Sequence, residues 1–407
     1  MSGEVLRKSA NKKPVRISKI IIKGLSLIIF AGLFLFLGIN IGNGRITAMS
    51  QTGVQKDLPN KLDYSSVDEV YKALKANFDG TLDTTKLLDG AKQGLVNAAS
   101  DPHTEYLNAK DYKDFNDQLT GSFVGIGAEL SQDGKGSIVV VSPIAGFPAE
   151  KAGLKPKDII IDIDGNSATG LTVSQAVDKI RGTKGTTVSL KVVRDGKSLD
   201  FKIVRDDISI PSVTSKVEDG IGYMTISRFG DDTASLAKKA AQDFKKQNVK
   251  AVVLDLRSDP GGLLDAAVSV SSLWVPEGKV ILTERRAGIV TSTYKAIGGN
   301  ILEGIPTAVL IDGGSASASE ITAGALKDNG VATLIGEKSY GKGSVQQLIK
   351  LNGGGVLKVT IAHWYTPGGK NIDKVGITPD VIVTMSADDV KNGNDLQKAA
   401  ARKAIGQ

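Results

Sequence analysis

Two glycine-rich segments carry the residue types and spacing best suited to chemistry. The first, IDGGSASASEITAG at 311–324, follows an apolar strand pattern and leads into a helix pattern. A serine at a helix start lies among exposed backbone N–H groups at the positive end of the helix dipole. This position suits an attacking alkoxide and the oxyanion that it produces. Helix capping is the competing interpretation, because Ser317 and Glu320 also form the S-x-x-E pattern of a capping box.

The second segment, GEKSYGKGSVQQ at 336–347, places a lysine between glycines ahead of a strand pattern. A phosphate-binding loop is disfavoured, because Gly343 stands where Ser or Thr would bind magnesium and no helix pattern follows. A lysine sheltered from water loses its proton more readily, since burial disfavours the ammonium form, and it can then act as general base for a serine. Along a strand, Lys342, Ser344 and Gln346 face the same side, so Gln346 is placed to orient Lys342 by hydrogen bonding.

Histidine and cysteine are too scarce for several other kinds of site. The sequence contains only His103 and His363, both of which we interpret as structural, and it contains no cysteine. A Ser-His-Asp triad and a multi-histidine metal site are therefore poorly supplied, and thiol catalysis, thiolate metal sites and disulfides are excluded. We predict a site without a metal or an organic cofactor.

The serine and lysine segments lie within an alternation of strand and helix patterns. Buried-strand patterns such as AVVLDLR and AVLID alternate with helix patterns at 235–246, 264–273 and 318–327. This alternation predicts an α/β core in which crossover helices cover a sheet. Upstream, four strand patterns (137–141, 158–164, 187–193 and 199–204) and one helical run near 173–180 predict a small β-rich domain between 121 and 206. Residues 65–115 have helical spacing.

The net charge of +7 is concentrated at the N terminus, where the first 23 residues carry +6. The remaining chain is nearly neutral, which disfavours nucleic acid as a partner. Residues 24–44 contain no charge and are numerous enough for a helix that spans a bilayer. The positive-inside rule places the basic tail in the cytoplasm and the rest of the chain outside. We predict an uncleaved, single-pass signal anchor in the cell membrane; a cleaved signal peptide, with the same charge order, is the alternative.

Four separated blocks resemble, in order, the carboxyl-terminal processing proteases (tail-specific proteases), which are S41 family serine peptidases with a PDZ domain. The blocks are LDLRSDPGG, GSASASE, GKGSVQQ and YTPGGKNIDKVGITPD, and the resemblance runs from about 61 to 386. It implies Ser317 as nucleophile, Lys342 as general base and Gln346 as its orienting partner. It also implies an oxyanion hole made of the backbone N–H groups of Gly262 and Ala318, where a glycine allows close approach of the substrate.

The same resemblance extends to the β-rich domain. FPAEKAGLKPKDIIIDIDG is similar to the region that closes a PDZ fold, and SFVGIGAEL resembles its carboxylate-binding loop. Backbone N–H groups of Gly125, Ile126 and Gly127 are expected to bind a terminal carboxylate while the peptide adds to the sheet edge, so polypeptides with apolar C-termini are the expected substrates. Arg181 is a candidate for coupling PDZ occupancy to the protease core, with a solvated surface charge as the alternative.

These interpretations divide the chain into seven parts. They are a basic cytoplasmic tail at 1–23, a transmembrane anchor at 24–44, a linker at 45–60, a helical region at 61–118, a PDZ domain at 119–207, an α/β serine protease core at 208–386 and a polar helical tail at 387–407. The predicted function is a membrane-anchored serine endopeptidase that selects extracytoplasmic proteins by their C-termini. A non-catalytic PDZ scaffold is the alternative. The pattern at 65–115 fits either a homodimer contact, as the resemblance implies, or packing on the chain's own core.

Overall fold

The structure, a computed structural model, describes residues 58–352 and 354–406. Within these ranges, no helix is long and apolar enough to cross a bilayer. The predicted basic tail and the apolar segment at 24–44 lie outside the described residues.

Residues 58–82 belong to a first compact unit and contain helix α1 (Ser65–Asn77). The apolar residues of α1 recur at helical spacing, as the sequence predicts, yet the helix has no buried residue. Val67, Val70, Tyr71 and Leu74 are all exposed. Helix α1 therefore presents an apolar face to solvent.

The second unit begins at Asp83, which caps helix α2 (Thr84–Asn97) by accepting from the N–H groups of Thr85 and Lys86. Strand β1 (Glu105–Leu107) and helix α3 (Ala109–Thr120) follow. Helix α3 ends at Gly121, whose left-handed φ of 65° stops the helix. The helices agree with the predicted helical region, whereas β1 was not predicted.

An antiparallel sheet forms the β-rich domain, in the order β3-β4-β5-β7-β8. Its elements are β2 (Ser122–Gly125), β3 (Ala128–Gln132), β4 (Ile138–Pro143), helix α4 (Pro148–Lys151), β5 (Ile159–Ile163), β6 (Asn166–Ser167), helix α5 (Val173–Ile180), β7 (Thr187–Arg194), β8 (Lys197–Val204) and β9 (Asp206–Ser209). Strand β2 pairs with β9, so the two chain connections to this domain lie side by side. All four predicted strands and the predicted helix at 173–180 are present.

A six-stranded sheet, in the order β10-β11-β12-β15-β16-β19, forms the centre of the α/β core. The elements of the core up to β16 are β10 (Val213–Glu218), β11 (Ile221–Ile226), α6 (Thr233–Lys246), β12 (Ala251–Asp255), α7 (Leu264–Ser271), β13 (Val280–Arg286), β14 (Ile289–Lys295), β15 (Thr307–Ile311), α8 (Ala318–Asp328) and β16 (Thr333–Gly336). In this sheet, strands β11, β12, β15, β16 and β19 run parallel to one another. Alternate residues of β12 and β15 pack into cores on opposite faces, which is why these strands read as continuous apolar runs.

The chain then completes a second sheet with β17 (Ser344–Lys350) and β18 (Val356–Tyr365), before β19 (Val381–Ile382) returns to the first sheet. In this second sheet β18 pairs with β17, β13 and β1, and β13 pairs with β14. Strand β1 therefore joins the region before the β-rich domain to the α/β core.

The C-terminal segment forms α9 (Ala387–Asn392) and α10 (Leu396–Ala404), as predicted for a helical tail. Its description as polar is incomplete. Ala401 is fully buried and Ile405 is 8% exposed, and both pack against the central sheet. Helix α10 therefore covers the face of the sheet opposite α6, α7 and α8.

Candidate active site

Ser317 occupies a sharp turn between buried strand β15 and helix α8. Its backbone has φ 54° and ψ −113°, a conformation that a residue with a Cβ rarely adopts. Such a conformation costs about 1–3 kcal/mol and persists only where surrounding contacts determine it. Ser317 lines a cavity of about 360 Å³.

The structure separates the three neighbouring serines by their surroundings. Ser315 and Ser319 are fully buried. The Ser315 hydroxyl donates to the Leu256 carbonyl at 2.7 Å, and the Ser319 hydroxyl donates to the Asp259 carbonyl at 2.9 Å. Of the three, only Ser317 lines the cavity, so only its hydroxyl is placed to meet a substrate.

Lys342 lines the same cavity from the loop before β17. Both backbone polar groups of Lys342 are hydrogen-bonded. Its N–H donates to Glu320 at 2.9 Å, and its carbonyl accepts from the Trp364 indole at 3.0 Å. Burial lowers the pKa of Lys342, and the positive charge of Lys358 acts in the same direction, whereas Glu105 and Glu320 oppose it. The amine is thereby shifted toward the neutral form that a general base needs.

The glycines beside Lys342 are required by close backbone contacts. A Cβ on Gly341 would lie 2.8 Å from the Gly376 nitrogen, and a Cβ on Gly343 would lie 2.6 Å from the Asp373 nitrogen. The Lys374 N–H donates to the Gly341 carbonyl at 2.7 Å. The sequence block NIDKVG is therefore the surface against which the lysine loop packs.

Glu320 joins the serine turn to the lysine loop. Its carboxylate is fully buried and accepts from the Ser317 N–H at 2.8 Å, the Ser339 hydroxyl at 2.6 Å, the Gly341 N–H at 2.7 Å and the Lys342 N–H at 2.9 Å. Burial raises the pKa of Glu320, and these hydrogen bonds, led by that of Ser339, oppose the increase. The S-x-x-E pattern indicated only the bond to Ser317; the other three depend on the packing of the lysine loop.

The glycines of the turn in which the oxyanion hole is predicted lie close to other parts of the main chain. A Cβ on Gly261 would lie 2.8 Å from the Ala318 nitrogen, and a Cβ on Gly262 would lie 2.2 Å from the Phe229 carbonyl oxygen. Within residues 58–352 and 354–406, the N–H groups of Gly262 and Ala318 donate to no acceptor. The turn that contains Gly261 and Gly262 thus lies against the start of helix α8. The N–H groups of Gly262 and Ala318 remain available to a bound oxygen.

Asp259 holds the turn at 259–262 by hydrogen bonds, and it was not identified from the sequence. It is fully buried, and its Oδ1 accepts from the Gly261 N–H at 2.8 Å. Its carbonyl accepts from the Ala316 N–H at 3.0 Å and from the Ser319 hydroxyl. Burial raises the pKa of Asp259 to about 7. The group that anchors the turn therefore changes its protonation near neutral pH.

Gln346 lines the cavity but does not hydrogen-bond to Lys342. Its amide donates to the Ser344 hydroxyl at 2.8 Å and to the Thr360 hydroxyl at 3.2 Å. A register shift between Val345 and Gln346 interrupts the strict alternation from which the contact was predicted. The two histidines, His103 and His363, do not line the cavity.

The loop after β2 has backbone groups suited to a carboxylate. Gly125 ends β2, Ile126 is 3% exposed and Gly127 has a φ of 72°. The N–H groups of Ile126 and Gly127 have no acceptor within the part of the chain that the structure describes. The adjoining strand β3 is at the edge of its sheet, so it can pair with an added strand.

Arg181 follows helix α5 and contacts helix α3. Its guanidinium lies 4.4 Å from the Phe123 ring centroid and 3.8 Å from carboxylate oxygens of Asp114 and Asp117. Its side chain is 29% exposed, so it is not a freely solvated charge. The other face of α3 reaches the cavity through Phe115, Gln118 and Leu119.

Comparisons with known proteins show which families the chain resembles. The model of Peptidase family S41 matches residues 220–383, and the model of the PDZ domain matches residues 114–193. A carboxy-terminal-processing protease of Bartonella bacilliformis is 38% identical over 372 residues, which cover 90% of this chain and 84% of that protein. The carboxy-terminal processing protease CtpA of Bacillus subtilis is 38% identical over 320 residues, which cover 78% and 68%.

Solved structures show the same similarity. The photosystem II D1 C-terminal processing protease matches with a TM-score of 0.50 at 29% identity, over 79% of this chain and 87% of that one. A putative S41 protease from Bacteroides fragilis matches with a TM-score of 0.54, over 86% and 99%, and its 16% identity makes this a likeness of fold.

Substituting Glu320→Gln tests the link between the serine turn and the lysine loop. Four donors point at this side chain, so an amide would direct its own N–H groups at some of them, and we expect a loss of about 2 kcal/mol in the free energy of unfolding. We also expect labelling of Ser317 by a fluorophosphonate to slow at least about tenfold. Exposed Glu277→Gln is the matched control. A folded Glu320→Gln variant that labels at the wild-type rate would contradict the link.

Proposed function

Because the chain belongs to the S41 peptidase family and is a serine-type carboxy-terminal processing protease, we propose that Ser317 and Lys342 are its catalytic pair. The observation that carries the proposal is that both side chains line one cavity, where Ser317 projects from a strained turn and Lys342 has a lowered pKa.

In the proposed mechanism, neutral Lys342 accepts the Ser317 hydroxyl proton as the oxygen attacks a substrate carbonyl carbon. The negative oxygen that forms accepts hydrogen bonds from the N–H groups of Gly262 and Ala318. Lys342 then gives its proton to the leaving amine, which leaves an ester on Ser317. A water that Lys342 deprotonates hydrolyses this ester and restores the hydroxyl. Gln346 lines the same cavity, but its amide nitrogen donates to the hydroxyls of Ser344 and Thr360 and it makes no hydrogen bond to Lys342, so no step is assigned to it.

Single substitutions test the pair. We expect Ser317→Ala and Lys342→Ala to lower kcat/KM for an unstructured peptide at least about a thousandfold, with little change in Tm, because each removes a group that acts on the reacting atoms. Ser315→Ala and Ser319→Ala remove buried hydrogen bonds outside the cavity, so they should lower the free energy of unfolding by about 1 kcal/mol and retain most of the activity.

The rival function is a non-catalytic PDZ scaffold. Peptide binding by wild-type protein without any turnover, under conditions in which relatives cleave, would favour the scaffold. Full activity in either the Ser317→Ala or the Lys342→Ala variant would reject the pair.

We propose that the PDZ domain selects substrates by their C-termini. The N–H groups of Ile126 and Gly127, next to the edge strand β3, support capture of a terminal carboxylate. Arg181 supports coupling, because it contacts helix α3, whose opposite face lines the cavity.

Two matched peptides test this selection, one with a free apolar C-terminus and one amidated. We expect the free acid to be cleaved at least about tenfold faster, since charge-assisted hydrogen bonds to the carboxylate are lost in the amide. Arg181→Ala should shrink the difference between the two peptides while binding of the free acid persists, and exposed Lys197→Ala is the control. Equal cleavage of both peptides by wild-type protein would contradict carboxylate capture.

We further propose that residues 24–44 anchor the enzyme in the cell membrane with its catalytic part outside the cytoplasm. The uncharged length of this segment and its basic N-terminal flank support the proposal. We expect the full chain to resist extraction from membranes by alkaline carbonate and a chain that begins at residue 45 to be released. A mature protein whose N terminus lies near residue 45 would instead indicate a cleaved signal peptide.

The homodimer stays a prediction, supported by the exposed apolar face of α1 and testable by light scattering.

A further inference from the structure

The charged side chains that line the catalytic cavity are all cations. Among the described residues of the lining, these are Arg228, Lys342 and Lys358, and no carboxylate is present. Arg228 is committed to the fold, because its guanidinium donates to the carbonyls of Thr120 and Ile210. Lys358 is the remaining cation, and a positive charge in the same cavity as a general base affects the protonation of that base.

Lys358 lines the cavity from strand β18. Its side chain is 16% exposed, and its Nζ lies 2.5 Å from Glu105 Oε1 and 5.2 Å from the Phe115 ring centroid. In the sheet register, Lys358 is directly opposite Glu105 on β1 and opposite Leu348 on β17. Backbone pairing on both sides thus fixes the main chain of Lys358, and its contacts with Glu105 and Phe115 place the ammonium group.

The charges around Lys342 come from several elements. Glu320 on α8 accepts from its backbone N–H, and Asp373 accepts from the adjacent Gly343 N–H at 3.2 Å. Arg228 and Lys358 share its cavity. Glu105 on β1 pairs with Lys358 and is 43% exposed, so it neutralises the charge of Lys358 only in part.

We propose that Lys358 is a positioning residue that acts by charge: it keeps the Lys342 amine unprotonated and ready for the Ser317 proton, and Glu105 limits its effect. The proposal rests on Lys342 being the general base. A like charge in the same cavity disfavours a second ammonium group, and the carboxylate of Glu105, which is paired with Lys358, weakens this repulsion.

The two members of the pair should therefore have opposite effects. The charge of Lys358 lowers the pKa of Lys342, and that of Glu105 raises it. Activity needs the neutral amine, so it rises with pH through this pKa. Removing the positive charge of Lys358 moves the rise to higher pH, and removing the negative charge of Glu105 moves it to lower pH.

The test measures the labelling rate of Ser317 by a small fluorophosphonate against pH, using the full chain. This reagent forms a bond between the serine oxygen and phosphorus and releases fluoride, so it reports on the base without peptide recognition. On the rising part of the profile we expect Lys358→Met to label at least about threefold more slowly and Glu105→Gln to label faster, with the high-pH plateau retained. Lys358→Arg keeps the charge and should match wild type, as should the exposed control Lys350→Met.

The outcomes separate this inference from the proposed function. If Lys342→Ala abolishes labelling but Lys358→Met and Glu105→Gln leave the profile unchanged or move it in the same direction, the inference is overturned and the catalytic pair stands. If Lys342→Ala labels with the wild-type profile, Lys342 is not the base and both fail. If Lys358→Met does not fold, Glu105→Gln alone decides: a profile that does not move to lower pH overturns the inference.

Discussion

The buried carboxylate of Glu320 is the interaction on which the arrangement of the site depends. It receives donors from the turn that carries Ser317 and from the loop that carries Lys342. A carboxylate removed from water is costly unless its oxygens are hydrogen-bonded, so the folded state is favoured only when both segments are in place. This requirement ties two parts of the chain into one geometry and gives the strained backbone of Ser317 the support that it needs.

Backbone contact at glycines completes the arrangement. Gly261 lies against the serine turn, and Gly341 and Gly343 lie against the segment 372–376. The four sequence blocks that carry the family resemblance are therefore packing partners of one another. Their glycines are needed because main chain meets main chain, and a methyl group at any of these positions would overlap a neighbouring atom.

Much of this could be predicted from the sequence. The strand and helix patterns of the core and the β-rich domain, including the helix at 173–180, are confirmed, because long apolar runs and helical spacing report burial directly. Strand β1 was missed because three residues carry no periodic signal and its partner β18 is remote in sequence. The contribution of α10 was missed because its buried residues are mostly alanines, whose small side chains give little hydrophobic signal.

The local pattern could not choose among three serines, since their burial depends on contacts with 256–259. The Gln346 contact was predicted from regular alternation, which a register shift interrupts.

Strand β1 also has a consequence for how the protein is made. Glu105 and Lys358 are 253 residues apart, yet they pair across one sheet, and Lys342 lies on the loop that leads into it. Contacts of such long range form late, because the intervening chain must first be brought together. A growing polypeptide that emerges N terminus first holds β1 long before it holds β18. The cavity is thus absent from any chain that has not yet reached β18, because that strand supplies Lys358 and Trp364 to its lining.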